Sequence, residues 1–582
     1  MQKIGIGYED YREFIDGDMY YVDKTLLIRD ILDKGGKVTL FTRPRRFGKT
    51  LALSMLQTFF ELETDSEGNR IDKSRYFSGK KIMDTESEVL SKMGEYPVIR
   101  LSLKSAKQPS FYAAFIALRE EIVNECIRHN YVLQSDEIDP DIKRAYLTIK
   151  SGITDWEQKS KSFTSKEDRD IAFAEEIGKY ATAIKTLSAV LKAYHKKNVI
   201  ILLDEYDVPL ENAYYNGFYD EMVAFIRSLF ESALKTNDAL EFAVVTGCLR
   251  ISRESIFTGL NNLEVNSIRS KDFGEYFGFT HDEVENMLDA YGLKQNAEVV
   301  NTWYDGYLFG DTPVYNPWSV NKYVKEHLEA PERFPEPYWS NTSSNSIIKD
   351  LVENADNSVK EELDKLITGG SIEKQIHEDI TYEDIYKNEE NLWNFLFFTG
   401  YMKKVSERII GDDIYVTMTI PNVEIKSIYR NQIMDWFTGK VKETDFEPLY
   451  AAIKAKETKA IEDFIRSLLA KSISYFDGQE SFYHGFFLSL LYGMPGYVPK
   501  SNREEGEGRP DVLLLPDRAT DPAYIFEIKT RKKYNEMSSG LQEAFDQIKD
   551  KKYEEGVLQE GYNGVVSFGI CFCKKDCVVG VL

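Results

Sequence analysis

The pattern of apolar and polar positions over the first 280 residues predicts strands that alternate with helices. Residues 38–42 form a short apolar run, and after a tight connection the apolar residues Leu53, Leu56 and Phe60 recur at helical spacing. Strands separated by helices are typical of a parallel sheet with helices on both faces. Further strands are predicted at 96–103, 198–205 and 241–247, and further helices at 111–128, 171–195 and 219–235.

The pattern changes beyond residue 280. Helical spacing and aromatic-rich turns dominate there, and residues 356–390 are acidic and helical in pattern, as in a bridging or lid segment. From residue 475 onward, strands alternate with helices again. We therefore predict an α/β protein of three parts: a parallel-sheet domain over 1–280, a mostly helical lid or linker region over 281–474, and a second α/β domain over 475–582.

Length and composition are those of a soluble globular protein. The 582 residues are too many for one core, and 42% of them are hydrophobic and 29% charged. No apolar stretch approaches the roughly 20 residues of a membrane span, and the first residues lack the basic-then-apolar pattern of a signal peptide. Five cysteines in such a chain exclude a disulfide scaffold and favour a reducing compartment. We expect a cytoplasmic protein with no membrane partner.

The connection between the first strand and its helix carries the first chemical signal. It ends in Gly48-Lys49-Thr50, which combines backbone N–H groups at a helix N-terminus with an ammonium and a hydroxyl. The pattern G-x-x-x-x-G-K-[ST] is complete except for its first glycine, where Arg43 stands. An exposed basic turn is the alternative, but the position between a strand and a helix favours a loop that binds the phosphates of a nucleotide.

A second signal lies at the end of the apolar run 198–203. The run is followed by Asp204 and Glu205, as expected of a buried parallel strand with its active-site residues at the carboxyl edge of the sheet. A core strand that simply ends in a polar turn is the alternative.

A third signal lies in the last hundred or so residues. Asp511 stands at the head of an apolar strand, and Glu527 and Lys529 follow in the next strand, the glutamate sixteen positions later. Side chains alternate along a strand, so Glu527 and Lys529 share a face, and a hairpin would bring Asp511 beside them. Two carboxylates can bind a divalent metal, magnesium or manganese rather than zinc, and an ammonium can activate the attacking water. Taken alone, this pattern is weak.

The order of several sequence blocks along the chain, which include the three signals above, resembles that of the bacterial proteins that join an AAA-ATPase-like domain to a C-terminal PD-(D/E)XK nuclease-superfamily domain. The resemblance covers nearly the whole chain. It implies ATP and Mg²⁺ at the first site, and Mg²⁺ or Mn²⁺ at the second. The blocks that carry it are YYVDKT, TRPRRFGKT, LLDEYDVPL, VTGCLRISRESIFTGLNNL, WYDGYLFG, VYNPWSV, LWNFLFFTGYM, IPNVEI, SNREEGEGRPDVLLLP and IFEIK.

The resemblance implies roles for single residues. Lys49 would contact the β and γ phosphates, Thr50 would ligate magnesium, Asp204 would hold that metal through water, and Glu205 would orient or deprotonate the attacking water. At the C-terminal site, Asp511 and Glu527 would ligate the metal, Lys529 would assist them, and a helical Gln547 would complete the site. Further nucleotide-binding candidates are Arg43, Pro44, Arg45, Arg46, Phe47, Gly48, Thr246, Arg250 and Arg253.

Several alternatives stay open at this point. Arg250 and Arg253 could reach a γ-phosphate, in cis or from a neighbouring chain, but a solvated face would explain them equally well. Arg43, Arg45 and Arg46 are better candidates for anion contact, but they could equally pair with Asp204 or Asp207. His484 is more simply a packed core residue than a catalyst, and the cysteines 571, 573 and 577 are more simply part of a strand than a metal site. The remaining candidates near the C-terminal site are the acids Glu480 and Glu504 and the cations Arg503, Arg509, Arg531, Lys532 and Lys533.

The leading hypothesis is a protein that binds and hydrolyses ATP to control a metal-dependent nuclease, with a role in defence or mobile-element biology. DNA or RNA would be the partner, bound locally at the C-terminal domain because the formal net charge is −23. A homo-oligomer is left open. The alternative is a nucleotide-regulated interaction or signalling switch whose nuclease-like domain docks a partner without cutting. A plain ATPase with a structural tail is a third option.

Overall fold

The computed structural model forms two compact units. The first comprises Met1–Asn341 and Glu373–Lys426, and the second comprises Thr342–Ile372 and Ser427–Leu582. The region 281–474, predicted as one helical part, is shared between them. The residues described are 2–65, 67–152, 165–250, 256–257, 260–331, 333–339, 348, 357–367, 369–377, 382, 385, 389–429, 432, 445–469, 480–491, 493–501, 510–518, 520–559 and 561–582.

The first unit is built on a parallel sheet of five strands in the order β2-β3-β4-β1-β5. Every residue of β1 and β3 is buried. The continuous apolar runs in the sequence predicted this burial, because a sheet covered on both faces has no exposed side. In this order β1 lies between β4 and β5, so the loop after β1 adjoins the ends of both. The strands are β1 Val38–Thr42, β2 Val98–Ser102, β3 Val199–Asp204, β4 Leu240–Gly247 and β5 Leu263–Asn266.

Helices connect and cover these strands. Ser110 caps the helix Phe111–Arg128 by accepting a hydrogen bond from Ala113 N, and Asp139 caps the helix Pro140–Lys150 in the same manner. The helix predicted at 171–195 is two helices that meet at Thr182. The other helices before β5 are Tyr11–Asp16, Leu27–Lys34, Lys49–Phe60, Ser74–Phe77, Ser87–Leu90, Lys166–Ala181, Ala183–His195, Val208–Asn216 and Tyr219–Phe230.

The segments after β5 add helices and short strands to the first unit. Asn316 caps the helix Pro317–Glu329 by accepting hydrogen bonds from Trp318 N and Ser319 N. A hairpin pairs β6 with β7, and a further three-stranded sheet has the order β8-β10-β9. These elements are the helices His281–Ala290, Ala297–Tyr304, Pro317–Glu329 and Glu389–Phe398 and the strands β6 Tyr307–Phe309, β7 Thr312–Val314, β8 Ile372–Gln375, β9 Lys403–Ile410 and β10 Asp413–Thr419.

The second unit contains a mixed sheet in the order β11-β12-β13-β14-β15. Only β13 and β14 pair in parallel, and the helix Met537–Asp550 crosses over between them. Glycines allow this helix to approach the sheet, since a Cβ at Gly580 would lie 2.6 Å from Cζ of Phe545. The strands are β11 Tyr497–Ser501, β12 Val512–Pro516, β13 Ala523–Thr530, β14 Val565–Cys573 and β15 Asp576–Val581, and the other helices are Asn357–Ile367, Glu447–Ala455, Thr458–Leu469, Glu480–Leu491 and Tyr553–Gln559.

The predicted fold class is confirmed: a parallel α/β sheet, a mostly helical middle and a C-terminal mixed α/β sheet. The predicted boundaries at residues 280 and 474 stay predictions. Among the helices of the described residues, none is both long enough and apolar enough to cross a membrane.

Candidate active sites

The phosphate loop spans residues 43–48, between β1 and the helix Lys49–Phe60. Two of its residues adopt left-handed backbone conformations, Arg46 with φ 68° and Gly48 with φ 81°. Arg43, which replaces the first glycine of the motif, is not among the described residues with positive φ, and its N–H donates to Gly247 O at 3.0 Å. Position 43 therefore continues the pairing of β1 with β4 and has no backbone need for glycine.

Lys49 is buried at the start of the helix. Its ammonium donates to the carbonyl oxygens of Arg43 and Pro44, both at 2.9 Å, and lies 3.7 Å from Sγ of Cys248. The positive charge is thus held inside the loop, next to the helix N-terminus. This is the position from which an ammonium can reach the phosphates of a nucleotide.

Asp204 connects the phosphate loop to the neighbouring strands. Thr50 Oγ1 donates to Asp204 Oδ2 at 2.6 Å, and Thr246 Oγ1 donates to Asp204 Oδ1. The parallel sheet explains this arrangement, because β3 and β4 both end at the edge where the loop begins. A hydroxyl and a carboxylate in contact are hard oxygen ligands, so these residues fit Mg²⁺.

Glu205 follows β3 with a left-handed backbone, φ 51°. Burial raises the pKa of its carboxyl group, and the charge of Asp204 raises it further, while the Lys49 ammonium lowers it. Lys104, which sequence reasoning missed, lies just beyond β2. Burial lowers the pKa of Lys104, but the charges of Glu9, Glu205 and Asp204 outweigh this effect and raise it overall. A partly buried acid of raised pKa beside the phosphate loop is suited to accept a proton from water.

The acids predicted for the C-terminal site lie together. Lys529 Nζ donates to Glu527 Oε1 at 2.9 Å, and Asp511 N donates to Glu527 Oε2 at 3.4 Å. Asp511 Oδ2 accepts a hydrogen bond from Ile528 N at 2.7 Å. The antiparallel pairing of Val512 with Phe526 produces this contact, as a hairpin between the two strands would.

Glu527 is fully buried in β13. Burial and the neighbouring charge of Asp511 raise its pKa to about 7, against the opposing effect of Lys529. The described residues contain no group of three or more His, Cys, Asp or Glu placed to hold a metal ion. Two carboxylates are nevertheless sufficient for Mg²⁺, which keeps several water ligands, so Asp511 and Glu527 fit that ion.

Gln547 and a tyrosine extend this site. Gln547 Nε2 donates to the hydroxyl of Tyr553 at 3.3 Å. Burial raises the pKa of Tyr553, and the charges of Glu527 and Asp511 raise it further, so Tyr553 lies near both acids. His484, placed in the core by the sequence, donates from Nε2 to Asp511 O at 2.6 Å. It holds the backbone of Asp511 and does not contact either carboxylate through this bond.

Comparison with known proteins gives a family match for each of the two regions that contain these sites. The family described as predicted AAA-ATPase, AAA-ATPase-like, matches residues 5–257, and the PD-(D/E)XK nuclease superfamily matches residues 478–581. The chain joins an AAA-ATPase-like domain to a PD-(D/E)XK nuclease-superfamily domain. The resemblance inferred from the sequence is confirmed.

One curated protein and one solved structure align with most of the chain. A protein of Azotobacter chroococcum mcd 1 named "Uncharacterized protein in vnfD 5'region" is 23% identical over 575 residues, which cover 96% of this chain and 94% of that protein. A solved structure, the Walker-type ATPase of Pyrococcus abyssi, is 14% identical and covers 70% of this chain and 94% of its own, with a TM-score of 0.31.

In the AAA-ATPase-like domain, Arg43 points into the protein. It is fully buried, and its Nη1 donates to Thr42 O at 2.9 Å and to Asn266 O at 2.6 Å. The guanidinium lies 5.3 Å from the ring centroid of Phe277 and 5.1 Å from that of Phe309. Burial lowers the pKa of Arg43 to about 9. Its side chain is therefore hydrogen-bonded to the ends of β1 and β5 and lies over two aromatic rings.

Arg45 and Arg46 also have partners within the protein. Arg45 forms an ion pair with Glu211. Arg46 Nη1 donates to Tyr338 O at 2.9 Å, and the guanidinium lies 4.2 Å from the ring centroid of Trp318. Since the loop arginines are engaged in this way, the groups best placed to contact phosphate are the backbone N–H groups and Lys49. Anion contact by the arginine side chains stays a prediction.

The two remaining loop residues anchor the loop. Phe47 is buried, with its ring centroid 5.0 Å from that of Tyr307 and 5.1 Å from that of Phe309. Pro44 packs on the backbone of Gly400, where an added Cβ would lie 2.9 Å from Pro44 Cβ. Segments after the parallel sheet therefore hold the outer side of the phosphate loop.

The residues after Asp204 fasten the end of β4. Tyr206 N donates to Thr246 O at 3.1 Å, and the Tyr206 hydroxyl donates to Leu249 O at 2.6 Å. Asp207 Oδ2 accepts from Cys248 N at 2.8 Å and from Leu249 N at 3.2 Å. We call these contacts between 204–207 and 246–249 the strand-end clamp. The clamp ends one residue before Arg250, while Arg253 lies outside the described residues.

In the nuclease-superfamily domain, Arg531, Lys532 and Lys533 follow β13 beyond the site. Cys571 and Cys573 lie in β14, which confirms the strand predicted for them, and Cys577 lies in β15. Residues Arg503, Glu504 and Arg509 lie outside the described residues, as does the side chain of Glu480.

Proposed function

We propose that this protein binds and hydrolyses ATP, and that its AAA-ATPase-like domain controls metal-dependent cleavage of DNA or RNA phosphodiesters by its nuclease-superfamily domain. The observation that carries the proposal is that the Glu527 carboxylate accepts hydrogen bonds both from Lys529 Nζ and from the backbone N of Asp511, where two strands pair. A buried carboxylate in contact with an ammonium, with a second carboxylate on the adjoining residue, supplies the groups that metal-assisted hydrolysis of a phosphodiester needs.

The phosphate loop supports the ATP part of the proposal. Lys49 would contact the β and γ phosphates, and Thr50 and Asp204 would hold the Mg²⁺ that accompanies them. Bound Mg²⁺ neutralises charge on the phosphates. Glu205, next to the loop and with a raised pKa, would accept the proton of the attacking water. Thr246 would keep Asp204 in place through its hydrogen bond.

The C-terminal acids support the nuclease part. Asp511 and Glu527 would hold Mg²⁺ or Mn²⁺, which polarises the phosphodiester and lowers the pKa of bound water. Lys529, in contact with Glu527, would orient the water and stabilise negative charge on the phosphate. Gln547 would act through Tyr553, with which it is hydrogen-bonded.

The test is cleavage of single- and double-stranded DNA and RNA with Mg²⁺ or Mn²⁺, in the presence and absence of ATP. We expect the wild-type protein to cut at least one substrate and Glu527→Gln to lose cleavage. Lys49→Ala should lose nucleotide binding and thereby change the dependence of cleavage on ATP. Glu555→Gln removes a solvent-exposed acid of the same domain and should cleave as the wild type does.

Two results would contradict the proposal. If the protein binds ATP but cuts no substrate with either metal, the C-terminal domain docks a partner instead. If the wild type cuts equally with and without ATP, and Lys49→Ala cuts as the wild type does, the nuclease is active and the proposed control by ATP is wrong.

A further inference from the structure

One end of the C-terminal sheet gathers basic side chains around an exposed tyrosine. Thr530, at the end of β13, is paired with Phe572 of β14, and Arg531 N donates to Phe572 O at 2.9 Å. Residues after Thr530 therefore lie beside the turn that joins β14 to β15. We call this surface the basic rim; its residues are Arg531, Lys532, Lys533, Tyr534, Lys574 and Lys575.

Tyr534 presents its ring to solvent. The residue is 55% exposed, and Lys574 Nζ lies 5.8 Å from the ring centroid. Nucleic-acid-binding proteins combine such elements, since a base stacks on an aromatic face while a neighbouring cation contacts the phosphate. Most aromatic residues of the chain are explained by packing in the core, but core packing does not explain the exposed Tyr534.

The charges of the basic rim are only partly neutralised. Arg531 pairs with Glu543, and Lys533 Nζ lies 4.0 Å from Glu536 Oε1. Asp576, next to Lys575, pairs with Arg466. For Lys532, Lys574 and Lys575, no ion pair with a described acid is formed within 4.0 Å. A local cationic surface therefore exists in a chain of formal net charge −23.

The basic rim and the acids lie toward the same end of the sheet. Val512 is paired with Phe526, so Asp511 lies toward the carboxyl end of β13, as the rim does. Glu527, Lys529 and Arg531 occupy alternate positions, and a rise of about 3.3 Å per residue places Arg531 roughly 13 Å from Glu527.

We propose that the basic rim binds single-stranded nucleic acid, with Tyr534 stacking on an unpaired base and Lys574 contacting the phosphate backbone. A duplex shields the faces of its bases by stacking, so only an unpaired base can use the Tyr534 ring. This inference rests on the proposed nuclease function and narrows its substrate to strands that are single or locally unpaired.

The experiment measures binding of a fluorescein-labelled oligothymidylate, and of a duplex of equal length, to the full-length protein by anisotropy in EDTA, where no cleavage occurs. We expect Tyr534→Ala to weaken single-strand binding by about tenfold or more, and Tyr534→Phe to bind within about twofold of wild type. Lys574→Ala should weaken binding and reduce its dependence on salt. Duplex binding should be weaker and unaffected by Tyr534→Ala.

Tyr8→Ala and Lys325→Ala are matched controls, since both side chains are exposed and lie in the first unit. Equal single-strand binding by Tyr534→Ala and wild type would overturn the inference, as would equal weakening of duplex binding. If metal-dependent cleavage persists in that case, the proposed function stands and only the role of the basic rim is wrong. If the wild type neither binds nor cuts any nucleic acid, both fail.

Discussion

The carboxylate of Asp207 holds the backbone of Cys248, with Oδ2 accepting a hydrogen bond from the amide nitrogen at 2.8 Å. A second hydrogen bond, from Leu249 N, reaches the same oxygen at 3.2 Å. Cys248 in turn lies 3.7 Å from the Lys49 ammonium. Asp207 thus fixes the segment that passes the phosphate loop and leads to Arg250.

Asp207→Ala should therefore impair ATP hydrolysis more than ATP binding. The change leaves two buried amide groups unpaired and releases the strand-end clamp, and a small displacement near reacting groups can lower a rate by about a hundredfold. Binding, which we propose to depend on Lys49 and the loop backbone, should stay within about twofold of wild type. Phosphate release and titration with a fluorescent ATP analogue measure the two quantities.

Asp207→Asn keeps one acceptor oxygen and should retain part of the rate. An equal loss of binding and hydrolysis in Asp207→Ala would show that the residue supports the fold and does not position the clamp.

Gly247→Ala tests whether the strand-end clamp depends on the close approach of its side chains to the backbone of Gly247. A Cβ at Gly247 would lie 2.5 Å from Cε1 of Tyr206 and 2.9 Å from Oδ1 of Asp207, so both side chains must move. We expect a loss of about 1 to 3 kcal/mol in the free energy of unfolding and a slower hydrolysis rate.

Gly178→Ala is the matched control for Gly247→Ala. A Cβ at this position of the helix Lys166–Ala181 meets no atom within 4 Å. This change should leave hydrolysis unchanged and stabilise the protein slightly, since alanine favours a helix. A neutral effect of Gly247→Ala on both unfolding and hydrolysis would contradict the packing that we describe.

Arg43→Gly restores the glycine of the usual phosphate-loop motif, yet it should harm the protein. The buried side chain bonds Asn266 O and fills the space beside Phe277 and Phe309, so its removal leaves a cavity. We expect a loss of about 3 kcal/mol or more in the free energy of unfolding, measured by denaturant titration.

Arg43→Met fills most of that cavity without burying a charge, so it should destabilise less than Arg43→Gly. ATP binding should not improve in Arg43→Gly, because position 43 has no backbone need for glycine. Tighter binding together with unchanged stability would contradict this account.

The buried carboxyl group of Glu424 should make the free energy of unfolding depend on pH. Burial raises its pKa to about 7, although Trp339 N and Ser319 Oγ donate to the carboxylate, both at 2.9 Å. The folded state therefore holds the proton more tightly than the unfolded state, whose pKa is about 4.5. This contribution to stability is complete below about pH 4.5 and is lost as the pH rises through about 7, and it amounts to about 3 kcal/mol.

The measurement is thermal unfolding of wild type and Glu424→Gln at about pH 5 and pH 8. The melting temperature of the wild type should fall more between these pH values than that of Glu424→Gln, which cannot lose a proton. Glu88→Gln, at an exposed position, should follow the wild type. Parallel pH profiles for wild type and Glu424→Gln would show that Glu424 does not titrate as we describe.

The sequence predicted the long apolar strands because their side chains are buried on both faces, which leaves an unbroken apolar run in β1 and β3. It missed β5, Leu263–Asn266, which is only four residues long and is defined by its pairing with β1 rather than by its own pattern. The break at Thr182 was missed because apolar spacing continues across it. Pairing and packing between distant segments decide such features, and no local pattern carries them.

The contacts of Glu527 with Asp511 and Lys529 were predictable in principle, since alternation along a strand and a hairpin determine them. The positions of Tyr553 and Lys104 were not, because each reaches its site from another element. The orientation of the Arg43 side chain could not be predicted either. A cation in a phosphate loop suggests contact with an anion, but the rings that this side chain contacts, Phe277 and Phe309, come from much later in the chain. The assigned catalytic and binding roles stay predictions.

The left-handed backbone of Glu205 has a consequence for how this chain can change over time. A non-glycine residue in that conformation costs about 1 to 2 kcal/mol. Glycine would remove that strain and, in the same step, the carboxylate beside the phosphate loop. If Glu205 has the role that we propose, stability and catalysis make opposite demands on position 205, and a lineage released from the need to hydrolyse nucleotide would gain stability by drifting to glycine there.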